Sequence, residues 1–148
     1  MSPRHSDFDV TIQKANVWLR ELAERIGCDR HRAYTALRAT LHTLRDRLTG
    51  EEAVELGAQL PMLVRGLYYE GWTPLGKPLK MRRQDEFLAA VADRLRPNDD
   101  LDVELVVDSV LGLLSRHISP GELADVKHIL PRAIRELWPE GAQEPGRA

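Results

Sequence analysis

Gly71-Trp72-Thr73-Pro74-Leu75-Gly76-Lys77 fits G-x-x-x-x-G-K, the first part of a phosphate-binding loop. The complete motif continues with Ser or Thr for magnesium and lies between a strand and a helix. Here Pro78 comes next, and it lacks the backbone N–H that such a loop aims at phosphate. The preceding segment reads as a helix, so nucleotide binding by this loop is set aside. The basic cluster Lys77, Lys80, Arg82 and Arg83 is a better candidate. It lies at or just before a helix, whose N-terminal amides also attract anions. Tyr68, Tyr69 and Trp72 are near in sequence and can stack on a base or ring. The alternative is that Tyr68 and Trp72 fold back as core, while the cations are solvated or pair with Asp85 and Glu86.

A second constellation is His31, Thr35, Arg38, His42 and Arg45, whose spacings of three and four put them on one helix face. A histidine and two arginines there suit an anionic ligand or a partner's carboxylates. An exposed polar face opposite an apolar one is the plainer reading. The histidines His5, His31, His42, His117 and His128 form no metal-ligand spacing, and no C-x-x-C occurs. His117 and His128 read as helix-end residues that suit the C-terminal dipole. Cys28 lies in a loop beside Asp29 and Arg30; a thiolate near arginine is reactive, but no residue is in place to orient it. Asp99, Asp100 and Asp102 are more economical as helix caps than as an acid/base set. No catalytic constellation, cofactor site or metal site is expected.

The bulk properties narrow the partners. The net charge of −2 over 148 residues argues against general nucleic-acid binding. No apolar run approaches the ~18 residues of a membrane span, and MSPRHSDFDV has no apolar core of a secretory signal. One cysteine excludes an internal disulfide framework and fits a reducing compartment, so the cytoplasm is expected.

Helices must position these residues, and an internal repeat organises them. At an offset of 70, residues 43–71 align with 113–141: Leu60 with Leu130, Pro61 with Pro131, Arg65 with Arg135, Tyr68 with Trp138 and Gly71 with Gly141. Upstream, WLRELAERI lies over FLAAVADRL at an offset of 69. Val103, Val106, Val107, Val110, Leu111 and Leu114 recur with helical period. Thr49 with Glu52, and Ser119 with Glu122, form capping boxes. Pro61 and Pro131 each end one helix and start another, short one, the first of these closing at Gly71 as a left-handed cap. Helices are expected at roughly 8–26, 30–47, 50–59, 61–70, 82–96, 100–117, 120–129 and 131–138. The expected fold is all-α: two tandem four-helix repeats packed into one helical bundle and one domain. The first repeat covers about 8–72, a connector 73–81, the second about 82–141, and a disordered tail 142–148.

The segments DRLTGEEA through LP, LYYEGW and DEFLAAVADRL resemble the domain-of-unknown-function 2267 family, small uncharacterised bacterial proteins, over about residues 8–139. The resemblance implies an all-helical, two-copy protein and supplies no catalytic residues. The second copy departs from it, with Pro139 for the second tyrosine and no tryptophan after Gly141. The function expected is a non-enzymatic protein-interaction or assembly module, through a protein partner or self-association as a dimer. The alternative is a small-ligand or anion-binding protein, with a site between the repeats or at the basic connector. A cryptic enzyme comes third.

Overall fold

The computed structural model describes residues 7–76, 78–98 and 100–139. Eight helices run through them: α1 (Asp7–Ile26), α2 (Arg30–Arg47), α3 (Gly50–Ala58), α4 (Met62–Tyr69), α5 (Gln84–Leu95), α6 (Val103–His117), α7 (Pro120–Ile129) and α8 (Arg132–Arg135). No strand occurs among the described residues.

The helix boundaries have local chemical causes. Asp29, Thr49 and Ser119 accept from backbone N–H groups of the next first turns, which otherwise lack partners. Thr49 and Glu52 complete their box in both directions. Pro61 and Pro131 stand just outside α4 and α8 with extended ψ, so each breaks the chain rather than bending a continuous helix. Gly71 takes φ +72°, the left-handed conformation that closes α4; Gly141 and the tail lie outside the described residues.

Three boundaries differ from expectation by more than one residue. Helix α6 starts at Val103 because the Asp102 carboxylate accepts from the N–H groups of Glu104 and Leu105. Helix α5 starts at Gln84, after Glu86 has taken the N–H groups of Arg82 and Arg83. Helix α8 ends at Arg135 instead of running to 138. Trp138 precedes a proline, which disfavours helical backbone, and its ring turns into the core.

Helices α2 and α6 form the centre. Every residue of α2 from Ala39 to Asp46 is buried, as is every residue of α6 from Ser109 to Ser115. Around them, α1 packs on α2 and α6, while α5 packs on the same two. Helix α4 lies against α1 and α2, α8 against α5, and α3 meets α7. One continuous apolar cluster includes Leu22, Leu41 and Tyr68 from the first half and Phe87, Leu111 and Trp138 from the second. Arg65 donates to the carbonyls of Gly57 and Leu60 at 2.9 Å each. Arg135 donates to those of Lys127 and Leu130 at 3.0 and 3.1 Å, each partner 70 residues further on. In both places a guanidinium ties together two carbonyls where one helix ends before the next begins.

Candidate functional site

The C-terminal half of the polar stripe of α2 faces inward, contrary to the exposed face expected of it. His31 and Arg38 remain at the surface, and Thr35 turns its hydroxyl back onto the His31 carbonyl. His42 and Arg45, by contrast, are only 5% and 4% exposed. The His42 Nε2–H donates to the Leu67 carbonyl at 2.7 Å. Arg45 donates to the carbonyls of Tyr68 and Glu70 at 2.8 and 2.9 Å, and Arg38 reaches the Glu70 carboxylate at 3.0 Å. These carbonyls lie in the last turn of α4 and just past it, where cationic donors are favourable. The stripe therefore clamps a helix end and does not form an open anion site.

Arg45 also meets the buried Asp46 carboxylate at 2.8 Å. Arg94 from α5 reaches the same carboxylate at 2.8 Å and the Thr43 hydroxyl at 2.7 Å. The backbone of this turn holds the connector as well. Leu79 N–H donates to the Asp46 carbonyl at 2.8 Å, and Arg47 donates to the Met81 carbonyl at 2.6 Å. The last turn of α2 thus joins α4, α5 and the connector.

Burial, with Arg45, Arg38 and Arg94 nearby, holds the His42 imidazole below its ordinary value. The unfolded chain then binds the proton more tightly than the folded one. This contribution to stability is present above the unfolded value of about 6.5 and is lost as pH falls through it toward the folded value. The stability of wild type relative to His42→Gln should therefore decline below about pH 6.5. Urea titrations of both proteins across that range check the sign.

The aromatics before the connector pack on the first half. Tyr68 and Tyr69 meet edge to face at 5.0 Å, and Tyr69 and Trp72 at 5.5 Å. Tyr69 lies over Gly57, where an added Cβ would approach its hydroxyl to 2.4 Å. In the second half Lys127 and Pro139 stand at the aligned positions, so the small residue and the large ring change together. Gly57→Ala is expected to destabilise wild type by displacing that ring. In a Tyr69→Ala background the same change should stabilise by about 0.5–1 kcal/mol, because alanine is the better helix residue. Urea unfolding of the four proteins tests this reversal of sign.

Of the basic cluster, Lys80 and Arg82 are exposed. Arg83 pairs with Asp85 at 3.0 Å and holds that carboxyl below its usual range, chiefly through the hydrogen bond. Lys77 lies outside the described residues. Residues 71–76 come after a helix, and α5 begins only at Gln84, which is not the geometry of a phosphate loop. The remaining candidates are used locally. Burial, then Asp29, pushes the Cys28 thiol up, away from a reactive thiolate. Asp100 pairs with Arg32 at 3.2 Å, whereas Asp99 and His5 lie outside the described residues. His117 stacks on Trp18 at 5.1 Å and contacts Glu21 at 3.3 Å. Among the described residues no three of His, Cys, Asp and Glu converge as metal ligands.

The feature that sequence reasoning missed is an apolar groove of about 370 Å³ between α1, α2 and α4. Its walls are Ala15 and Leu19 of α1, Tyr34 and Leu37 of α2, and Leu63, Gly66 and Leu67 of α4, with Glu70 at one edge. Leu63 is 51% exposed. Leu63 N–H donates to Thr11 Oγ1 at 2.8 Å, which fixes the first turn of α4 beside α1. The faint sequence signal is the apolar spacing Phe8, Ile12, Ala15 and Leu19 along α1, a stripe wider than the Trp18 and Leu22 core face needs.

Residues 15–137 match the family described as "Uncharacterized conserved protein (DUF2267)". The chain belongs to the DUF2267 family. The match spans both clamped helix ends and all but the first turns of α1. Comparison with curated proteins gives no match. This DUF2267 chain has no helix among its described residues long and apolar enough to cross a membrane.

Proposed function

We propose that the protein is a non-enzymatic interaction and assembly module, built from two copies of one four-helix unit in a single domain. Its contact surface is the groove of α1, α2 and α4, and its occupant is an apolar helical surface of a protein. One contrast carries this reading. The groups best suited to chemistry, His42, Arg45 and Asp46, are buried and engaged at helix ends, while large aliphatic and aromatic side chains stand open around a groove. Exposed apolar surface framing a groove is the usual mark of a protein contact. The two-copy reading is supported by the matching bonds of Arg65 and Arg135. The unpaired thiol of Cys28 fits a cytoplasmic setting.

Native mass spectrometry of the protein purified from its source tests the reading. A retained polypeptide, released by Leu63→Asp, is expected. A retained non-peptide molecule in its place would overturn the proposal in favour of ligand binding. The anion-binding alternative rests on the exposed Lys80 and Arg82. It predicts a salt-sensitive anion complex abolished when Lys77, Lys80, Arg82 and Arg83 are all changed to Ala.

A further inference from the structure

Phe8 is 70% exposed and Ile12 is also exposed. Both lie on α1 at spacings of four, three and four from the groove walls Ala15 and Leu19, hence on the same side of the helix. The surface therefore carries a projecting apolar ridge and an apolar groove side by side. A two-fold axis brings such a surface onto its own copy with ridge in groove and groove over ridge. Charge is arranged in the same sense. The first turn of α1 is acidic, with Asp7 and Asp9. The α2 rim, one turn from Tyr34, carries Arg30, whose guanidinium is bonded to the neutral side chain of Asn16. The segments 1–6 and 140–148, MSPRHS and EGAQEPGRA, hold one large apolar side chain, Met1, and so offer the groove little.

We infer that the occupant of the groove is a second copy of this chain, paired by a two-fold axis that inserts Phe8 and Ile12 of each copy into the α1–α2–α4 groove of the other. This rests on the proposed interaction function and names its partner. The acidic start of each α1 lies against the Arg30 rim of the opposite copy.

Sedimentation velocity of the purified full chain, from low micromolar to near-millimolar concentration, is the test. A monomer–dimer equilibrium is expected, with Leu63→Asp and Phe8→Asp each weakening it at least about tenfold. Both positions are exposed, so circular dichroism should show unchanged helix content and melting. Arg30→Glu weakens pairing, and adding Asp7→Arg in the same chain restores it. In a Cys28→Ser background, Phe8→Cys mixed with Tyr34→Cys should give a mixed-chain disulfide. A monomer throughout, or a dimer indifferent to Leu63→Asp and Phe8→Asp, overturns the inference. If the chain alone is monomeric but source-purified protein retains a different polypeptide that Leu63→Asp releases, self-pairing fails and the interaction function stands. If no polypeptide is retained either, both fail.

Discussion

Asp46→Ala lowers the unfolding free energy by about 3–5 kcal/mol, the usual effect of removing one partner of a buried ion pair. The Asp46 carboxylate lies between two guanidinium groups, those of Arg45 and Arg94. Arg45 is as deeply buried as the carboxylate and gains no water when its counter-ion disappears. It still meets the carbonyls of Tyr68 and Glu70, but those partial charges do not neutralise a full one. Because domains of this size are stable by only about 5–15 kcal/mol, the variant should approach the limit of folding. Urea titration gives the total. Amide exchange should show the loss reaching residues 67–71 and 79–81, which depend on the same turn. Replacing both charges, as in Arg45→Met with Asp46→Leu, should recover only part of the stability: apolar substitutes for a buried pair are often tolerated, but the Tyr68 and Glu70 carbonyls lose their donor and Arg94 its carboxylate. A loss below about 1 kcal/mol for Asp46→Ala would show that the last turn of α2 is not a junction of α4, α5 and the connector.

Tyr68→Ala should cost a similar amount, about 3–5 kcal/mol, because a fully buried aromatic ring leaves a cavity. Tyr68 has no exposed surface and donates its hydroxyl to the Ala53 carbonyl at 2.7 Å. Tyr68→Phe keeps the ring and removes only that bond, for about 0.5–1.5 kcal/mol. Trp138 fills the aligned place in the second half, also buried, with its indole N–H unpartnered. Trp138→Ala should therefore be costly through volume and through loss of the ring under the Lys127 ammonium, 5.9 Å from its centroid. Guanidinium denaturation monitored by far-ultraviolet dichroism separates the large truncations from the small polar change. A Tyr68→Ala protein as stable as wild type would mean that α4 does not close the core.

The helix map was legible because each boundary has a local cause. Thr49 with Glu52, Ser119 with Pro120, and the prolines at 61 and 131 act within a turn of themselves. The valines of α6 are equally plain: Val106, Val107 and Val110 keep helical period whatever their preference for strands. The orientation of the α2 stripe was not legible. Spacing puts Arg38, His42 and Arg45 on one face, but a helix packed from several sides has no single outward face. Residues Ala39 through Asp46 are buried without interruption, and His42 and Arg45 among them are satisfied by carbonyls 23 to 25 residues away. The groove was hidden for a related reason. Nothing in the spacing sets Leu63 and Tyr34 apart from other apolar residues, and only the meeting of three helices frames them around a groove. Tyr69 and Gly57 carried a weak signal, since Pro139 and Lys127 replace them jointly.

The connector is anchored at Leu79 and Met81 through backbone atoms, and at its start by Gly71. Between these points Thr73, Pro74, Leu75 and Gly76 stand clear, with Leu75 83% exposed. Anchors that grip main chain and leave the tip unbound make the tip's sequence interchangeable. A foreign peptide spliced between Pro74 and Gly76 would be displayed away from the core. The same molecule thus offers a natural place for an epitope or a tether.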